Sequence, residues 1–586
     1  MKYLSILVLA LLCMCCSTPK PQVEIADLFD RYYEESLLFN PINATYAGDN
    51  RYNDLLPNFF SQEYIADLKD FYNRYKTELL TYDRATLSST DQLSYDILLW
   101  ELDMGLEGLD YPTELLPINQ IFSFHLSIGQ LASGSSAQPF KTVEDYDNWL
   151  SRLEGFVALS DTAMANMKKG MAQGYVLPKA LTDKIIPQLQ SFATDSVEAN
   201  LFYTPVTMFP EGFSPDNVSR LKQAYYKMVS EKIIPTYARF ADFVINDYAA
   251  ASRESSGIDA IPNGRAYYDY QIKYFTTTTM TADEIFALGQ SEVARIREEM
   301  EKVKAQVGFE GDLNAFFDHV RNKPELMPFT DPQQVIDNFN AIHEKMKPNL
   351  EKLFDRTPKT QFEVRRTEAF RESSASAEYN PGTKDGSRPG IFYVPIPDVK
   401  SYNVYSDEDL FLHEAIPGHH YQISLQQENQ DLPEFRKTLW YSAYGEGWAL
   451  YTESLGSELG LYEDPYQYFG MLSAEMHRAI RLVVDAGMHT QGWTREQAIQ
   501  FSLENEAESE ESIIAEIERY MAGPGQALSY KIGQLKIREL RAKAVSELGD
   551  KFDIRAFHNE VLESGCLPIK VLEDKINAWI AEVKAA

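Results

Sequence analysis

Residues 410–422 read LFLHEAIPGHHYQ and hold three of the nine histidines of the chain. The first, His413, is followed directly by a glutamate, Glu414, and the other two, His419 and His420, are adjacent. Imidazole nitrogens are common metal ligands, and a neighbouring carboxylate can act as a base. Because histidine is scarce elsewhere, the clustering predicts a metal site. The alternative is a helix that ends at a Pro-Gly turn and carries its histidines incidentally.

The spacing departs from the His-Glu-x-x-His pattern of zinc peptidases, which places two imidazoles on one helix face and uses the glutamate as general base. Here the fourth residue after His413 is Pro417. In an unbroken helix, His419 would lie about 120° from the face of His413, and His420 near that face but about 10 Å along the axis. Because proline and glycine permit a break, we predict a break or π-like bulge at 416–418.

Residues 441–453 read YSAYGEGWALYTE and offer two candidates for a third ligand. Glu446 opens an apolar helical run between two glycines, so its carboxylate needs a partner or a metal if it is buried. Glu453 lies two turns later on the same face. We expect it to hold a ligand histidine in place by a hydrogen bond; the alternative is an ordinary surface glutamate.

Three segments together resemble the signatures of a large bacterial family, often lipoproteins, catalogued as a domain of unknown function. They are His413-Glu-Ala-Ile-Pro-Gly-His419, Gly445-Glu-Gly-Trp-Ala-Leu-Tyr451 and Pro524-Gly-Gln-Ala-Leu-Ser-Tyr-Lys531. The resemblance covers nearly all of the chain after its N-terminal segment. That family is grouped with zincin-type metallopeptidases of the Glu-ligand class. The thimet oligopeptidase, Taq carboxypeptidase and angiotensin-converting enzyme families are more distant α-rich relatives.

This resemblance implies Zn²⁺ as cofactor, held by His413, His419 and Glu446. It favours His419 over His420 as second ligand and leaves His420 turned toward neighbouring polar groups, in a supporting position. It also implies a mainly α, zincin-like catalytic unit with a deep cleft that admits short peptides.

A hydrolase of this type also needs a group that stabilises the developing oxyanion. Tyr530 is the leading candidate, with Lys531 beside it as a substrate-binding residue; Tyr520 and Arg519 come next. The alternative is that Tyr530 packs in the core.

The segment Asp385-Gly-Ser-Arg-Pro-Gly-Ile-Phe-Tyr393 resembles the part of the family sequence that leads into an edge strand. An edge strand can bind an extended peptide through its main chain. Arg388 and Tyr393 are therefore further predicted substrate contacts.

Residues 476–489 read MHRAIRLVVDAGMH and carry Asp485 and His489 four residues apart, on one helix face. These two are predicted to support the ligands or, with Arg478 and Arg481, to bind a substrate carboxylate. The alternative is an internal network of ion pairs and hydrogen bonds.

The N-terminus, MKYLSILVLALLCMCC, has the Lys2 charge and short apolar run of a signal peptide. It resembles a bacterial lipoprotein signal over residues 1–16, with Cys16 as the acylated residue and Cys15 as second choice. Residues 17–24 would be a linker. The expected location is the bacterial cell envelope, with membrane contact only through the lipid anchor.

From residue 25 the pattern is mostly helical, with capping boxes at Thr281 and Thr494. Strand signals are few, and the best is Gly390–Val394. We predict a mainly α fold with a small β-sheet, in a single domain over 25–586 that has two lobes with a seam near 270–280.

Composition limits the possible functions. The 55 basic and 87 acidic residues give a net charge of −32, which argues against nucleic acid and anionic lipid surfaces as partners. A hydrophobic content of 44% is that of a folded soluble chain. With four cysteines, three of them in the signal segment, no disulfide framework is expected.

These features lead to one hypothesis and one alternative. The hypothesis is a zinc-dependent hydrolase, a peptidase for short peptides, with Glu414 as general base. The alternative is an envelope lipoprotein that uses a metal site to bind a ligand without turnover. The sequence does not decide the oligomeric state.

Overall fold

Helices form most of the chain, as the periodicity predicts. The computed structural model describes residues 24–134, 136–368, 372, 375–383 and 388–586. The predicted signal peptide, linker and acylated Cys16 therefore lie outside the described residues, apart from residue 24. No helix within the described ranges combines the length and apolar character needed to cross a bilayer.

The α-helices are α1 (Ile25–Phe39), α2 (Pro41–Tyr46), α3 (Gln62–Leu79), α4 (Ser89–Gly108), α5 (Phe124–Ala132), α6 (Val143–Gln173), α7 (Lys179–Phe192), α8 (Pro215–Met228), α9 (Ile234–Phe243), α10 (Gly264–Thr276), α11 (Ala282–Gln306), α12 (Leu313–Asn322), α13 (Pro332–Leu353), α14 (Asp407–Glu414), α15 (His419–Glu428), α16 (Glu434–Lys437), α17 (Ser442–Glu453), α18 (Pro465–Thr490), α19 (Arg495–Asn505), α20 (Glu510–Ala522), α21 (Ser529–Leu548), α22 (Ile554–Leu562) and α23 (Ile569–Ala585). The predicted capping boxes are confirmed: Thr281 and Thr494 cap α11 and α19 with both reciprocal hydrogen bonds.

A three-stranded sheet accompanies the helices. Its strands are β1 (Phe362–Arg366), β2 (Glu378–Asn380) and β3 (Gly390–Val394), in the order β1-β3-β2. Strand β3 pairs parallel with β1 and antiparallel with β2. The expectation that β3 is an edge strand is therefore wrong. Its unbroken apolar sequence is the pattern of a strand buried on both faces, and both of its edges are occupied.

Two large hydrophobic clusters form the core. One consists of residues between Ile118 and Tyr248. The other joins residues from α1, α3 and α4 to residues from the second half of the chain; Phe29 and Tyr32, for example, contact Phe435. The first helices thus pack against the half that carries the histidines. The two lobes and the seam near 270–280 stay a prediction.

Helices α17 and α21 approach each other closely at two glycines. A Cβ at Gly447 would lie 2.5 Å from the backbone of Gly533, and a Cβ at Gly533 would overlap the carbonyl of Ala443. Gln534 of α21 also donates to the carbonyl oxygen of Leu450 at 3.1 Å. This contact holds the helix that carries Glu446 and Glu453 beside the helix that carries Tyr530.

Candidate metal centre

The helix that carries His413 is interrupted where the sequence predicts it. Helix α14 ends at Glu414, residues 415–418 form a turn, and α15 begins at His419. A four-residue turn thus replaces the predicted bulge. A Cβ at Gly418 would overlap the carbonyl oxygens of Leu412 and His413, so only glycine allows the chain to fold back against α14.

Neighbouring side chains fix this turn. The indole nitrogen of Trp448 donates to the carbonyl oxygen of Pro417 at 2.9 Å. The hydroxyl of Thr452 donates to the carbonyl oxygen of Leu412 at 2.9 Å. Both residues belong to α17, the helix of Glu446, so one helix positions the turn and also supplies the carboxylate.

The turn brings His413 and His419 together with Glu446. The Nε2 atoms of His413 and His419 lie 3.6 and 3.5 Å from Glu446 Oε2, and the three ligand atoms are within 4.8 Å of one another. Ligands of a tetrahedral zinc ion, with bonds of about 2.0–2.1 Å, would be about 3.3 Å apart. Two imidazoles and one carboxylate at these distances fit zinc and leave a coordination position open.

His420 points away from this group. Its Nδ1 lies 2.9 Å from the hydroxyl of Tyr379 and 3.3 Å from that of Ser424, and its ring packs against Phe362. Burial lowers the pKa of His420 to about 4. The structure therefore places His419, and not His420, beside Glu446. His420 joins the sheet to α15 and does not touch the three candidate ligands.

Glu453 holds the ring of His413 from behind. The Nδ1–H of His413 donates to Glu453 Oε1 at 2.7 Å, which turns Nε2 toward Glu446. Burial alone would lower the pKa of His413, but Glu446 and Glu453 raise it to about 10. Burial would likewise raise the pKa of Glu446, but the two imidazoles hold it well below its usual range. Metal-binding histidines commonly have such a carboxylate partner.

Glu414 lies next to the three ligand residues and is half-buried. Burial raises its pKa, while the charges of His413, His419 and Arg478 oppose that rise. Within the described part of the chain, no cationic nitrogen lies within 4.0 Å of its carboxylate. A carboxylate with this surrounding can accept a proton.

Tyr530 stands in the first turn of α21 and is half-buried. The Cζ atom of Arg481 lies 4.6 Å from the centre of its ring. Burial raises the pKa of Tyr530, and the charge of Glu446 raises it further, which places the phenol near the candidate metal ligand Glu446.

Three predicted substrate-binding residues lie elsewhere or have other partners. Lys531 is fully buried against Glu292, Glu475 and Gln534. This corrects the prediction that Lys531 binds substrate, because its ammonium has no exposed surface. Arg388 is exposed two residues before β3, and Tyr393 is half-buried within β3, which is paired on both sides.

Asp485 and His489 are fully buried away from the three ligands. Asp485 accepts hydrogen bonds from the hydroxyl of Tyr268 at 2.5 Å and the N–H of Gly525 at 3.1 Å. His489 accepts from the N–H of Ile258 and bonds to the carbonyl oxygen of Tyr520. They support the turn before Tyr530, so the alternative of an internal network describes them better than ligand support.

The sequence reasoning missed two neighbours of the site. Asp409 lies beside Glu453, and burial together with the Glu453 charge raises the pKa of Asp409 well above its usual value. Its position four residues before His413, on the same helix face, could have shown it. Trp440 is 44% exposed and lies 5.8 Å from the ring of His419. No sequence pattern marks it.

Comparisons with known proteins agree with the fold. The chain resembles a solved structure described as "the putative lipoprotein from Colwellia psychrerythraea", at 28% identity and a TM-score of 0.86, over 96% of this chain and 99% of that one. A second, described as "a putative lipoprotein of unknown function from Shewanella oneidensis", shares 20% identity and the fold, at a TM-score of 0.74 over 94% and 99% of the two chains. No curated protein matches the chain.

A family model also matches residues 41–576, a range that includes His413, His419, Glu446 and Tyr530. That range covers most of the chain and the whole candidate metal centre. The chain therefore belongs to the family described as bacterial protein of unknown function (DUF885).

Proposed function

We propose that this protein is a zinc-dependent hydrolase that cleaves peptide bonds in short peptides. The observation that carries the proposal is the convergence of His413, His419 and Glu446 beside Glu414. A site with a purely structural metal has closed coordination and no use for an adjacent base. Here three ligands would leave one coordination position of the metal open, and Glu414 directly follows the ligand His413 in the sequence.

In this proposal each residue of the site has a separate role in hydrolysis. Zinc, when bound, polarises a carbonyl group and makes water more acidic. Glu414 accepts the proton of the attacking water and passes it to the leaving amine. Tyr530 donates a hydrogen bond to the oxygen on which negative charge develops. Glu453 keeps the His413 ring in the orientation that directs Nε2 at the ion.

We also propose that the protein is attached to the cell envelope by acylation of Cys16. The signal-like N-terminal sequence and the description of the Colwellia protein as a lipoprotein support this. Metabolic labelling with a palmitate analogue tests it. Label should be incorporated by the wild-type chain and lost on Cys16→Ser, and label retained in that variant would contradict the assignment.

The test of the hydrolase proposal separates metal binding from turnover. Glu414→Gln should keep zinc at the wild-type stoichiometry and lose hydrolysis of a short-peptide library. Glu344→Gln is the matched control, because Glu344 also follows a histidine directly but is exposed on α13. It should leave both properties unchanged.

Other outcomes would decide against the proposal. Turnover that survives Glu414→Gln would remove Glu414 as the base. Zinc below stoichiometric amounts after reconstitution, unaffected by His413→Ala, would remove the metal site itself. A wild-type protein that binds zinc and peptides but cleaves none would favour the binding lipoprotein instead.

A further inference from the structure

One face of α18 is partly exposed, although the other faces of the helix are buried between Phe469 and His489. Between Phe469 and His489 every residue is buried except Ser473, Ala474, His477 and Arg478. These positions recur at a spacing of four, so they lie on one face of the helix. This face of α18 is therefore accessible to solvent.

This face borders the candidate metal centre. Helix α18 packs against α14, the helix that ends with His413 and Glu414, and the positive charge of Arg478 acts on the carboxylates of Glu414 and Asp409. One turn further along α18, Arg481 stacks on the ring of Tyr530. The two arginines therefore lie beside the two residues to which the proposed function gives proton transfer and oxyanion binding.

The two arginines differ in whether a carboxylate pairs with the guanidinium. Arg481 is 7% exposed and pairs with Glu516 at 3.0 Å. Arg478 has one hydrogen bond, from Nη1 to the carbonyl oxygen of Ala474 at 3.3 Å, and no carboxylate within 4.0 Å among the described residues. Its Nε is buried without a partner. Among the described residues, Arg478 thus presents a guanidinium without a carboxylate partner on the partly exposed face of α18.

We propose that Arg478 binds a carboxylate of the substrate, so that this site prefers peptides with a negatively charged group near the bond that is cleaved. A guanidinium binds a carboxylate through two parallel charged hydrogen bonds, which fixes orientation as well as affinity. With a net charge of −32 the protein as a whole repels anions. A local unpaired cation is what an anionic substrate would need. This inference rests on the proposed hydrolase function.

The carboxylate could be the C-terminus of a peptide or an acidic side chain, and three probes distinguish these sources. They are trialanine, trialanine amide, and a tripeptide amide with glutamate in the last position. Hydrolysis is measured with the zinc-loaded wild-type protein. Equilibrium binding is measured with zinc-loaded Glu414→Gln, which keeps the arginine, so recognition is tested even if none of the probes is cleaved.

We expect at least one carboxylate-bearing probe to bind more tightly than trialanine amide, by about ten- to hundredfold. Preference for trialanine alone identifies the C-terminus as the group recognised. Preference for the glutamate probe identifies an acidic side chain. In the Glu414→Gln background, Arg478→Gln should abolish the preference and leave binding of trialanine amide unchanged, whereas Arg478→Lys should keep part of it.

Arg297→Gln is the matched control, because Arg297 is half-buried and bonds only to Glu504 O and Asn505 Oδ1. It should keep the full preference. Equal binding of all three probes, or a preference that survives Arg478→Gln, would overturn this inference. Preferential binding without hydrolysis by the wild type would support carboxylate recognition and count against the hydrolase function. If Arg478 only stabilises the fold, its replacement should weaken the binding of all three probes equally.

Discussion

Two clusters of histidine and glutamate lie in the second half of this chain, and they differ in the cations that surround them. The metal cluster, named for the zinc that we propose it binds, consists of His413, His419, Glu446 and Glu453. The arginine cluster consists of His477, Arg481, Glu506, Glu516 and Arg519. In both, imidazole nitrogens lie within 3.6 Å of carboxylate oxygens.

In the arginine cluster, guanidinium groups neutralise the carboxylate that a metal would need. Glu516 accepts from Arg481 at 3.0 Å and from Arg519 at 2.8 Å. Glu446 has two imidazoles and no guanidinium within 4.0 Å in the described structure. Residue types alone therefore do not mark a metal site. What matters is whether the carboxylate is left without a permanent cation.

Replacement of one histidine in each cluster should give the largest difference in zinc affinity between the two clusters. His419→Ala should weaken zinc binding by about 100-fold or more, because loss of a ligand costs more than loss of a supporting group. His477→Ala should leave zinc binding unchanged. Competition titration with a chelator measures both. Zinc lost from His477→Ala and retained in His419→Ala would reverse the two assignments.

Removal of the Glu516 charge, at the centre of the arginine cluster, should lower the stability of the fold and leave zinc binding unchanged. Glu516→Gln leaves two guanidinium groups close together without their shared partner, and Glu516 is one-quarter exposed. We expect the free energy of unfolding to fall by about 2–3 kcal/mol, as measured by denaturant unfolding with zinc present. An unchanged unfolding midpoint, or a fall in zinc content, would contradict this division of roles.

Loss of the carboxylate behind His413 should have an intermediate effect on the metal. Glu453→Gln keeps the shape of the side chain but weakens the hydrogen bond that orients the imidazole. Zinc affinity should fall by about 10–100-fold, which is less than for His419→Ala. If chelator titration shows equal losses for the two variants, Glu453 is itself a ligand.

The pH dependence of stability should show how His477 differs from an isolated buried histidine. Burial would lower the pKa of His477, but Glu506 and Glu516 raise it above its usual value. A raised pKa contributes stability below the unfolded value of about 6.5 and loses it as pH rises through the folded value.

The free energy of unfolding of the wild type, compared with His477→Gln, should therefore show its largest advantage in mild acid and a smaller one at alkaline pH. Parallel curves for the two proteins across this range would show that the two glutamates do not act on the charge of His477.

The smallest effect on zinc is expected at the histidine beside a ligand. His420→Ala should leave zinc affinity almost unchanged, since its ring bonds to Tyr379 and Ser424. It should instead destabilise the fold, because both hydroxyls lose a buried partner. A loss of zinc that matched His419→Ala would show that both histidines reach the ion.

The sequence by itself determined the helical class, the capped starts of α11 and α19, and the break after Glu414, because these depend on neighbours within a few residues. It also singled out the residue types of the metal cluster. It did not determine the role of Lys531, whose two carboxylate partners come from α11 and α18, or the central position of β3, whose partners lie elsewhere along the chain.

The choice between His419 and His420 shows the limit most clearly. Helical register favoured His420, the family resemblance favoured His419, and only the tertiary structure brought His419 to Glu446. The reason is that the fold-back at Gly418 and its bonds to α17 are contacts between distant segments. The electrostatics are decided in part locally, because Arg519 lies three residues after Glu516 on α20. Arg481 beside Glu516 and the two imidazoles beside Glu446 come from other helices, and only the fold brings them there.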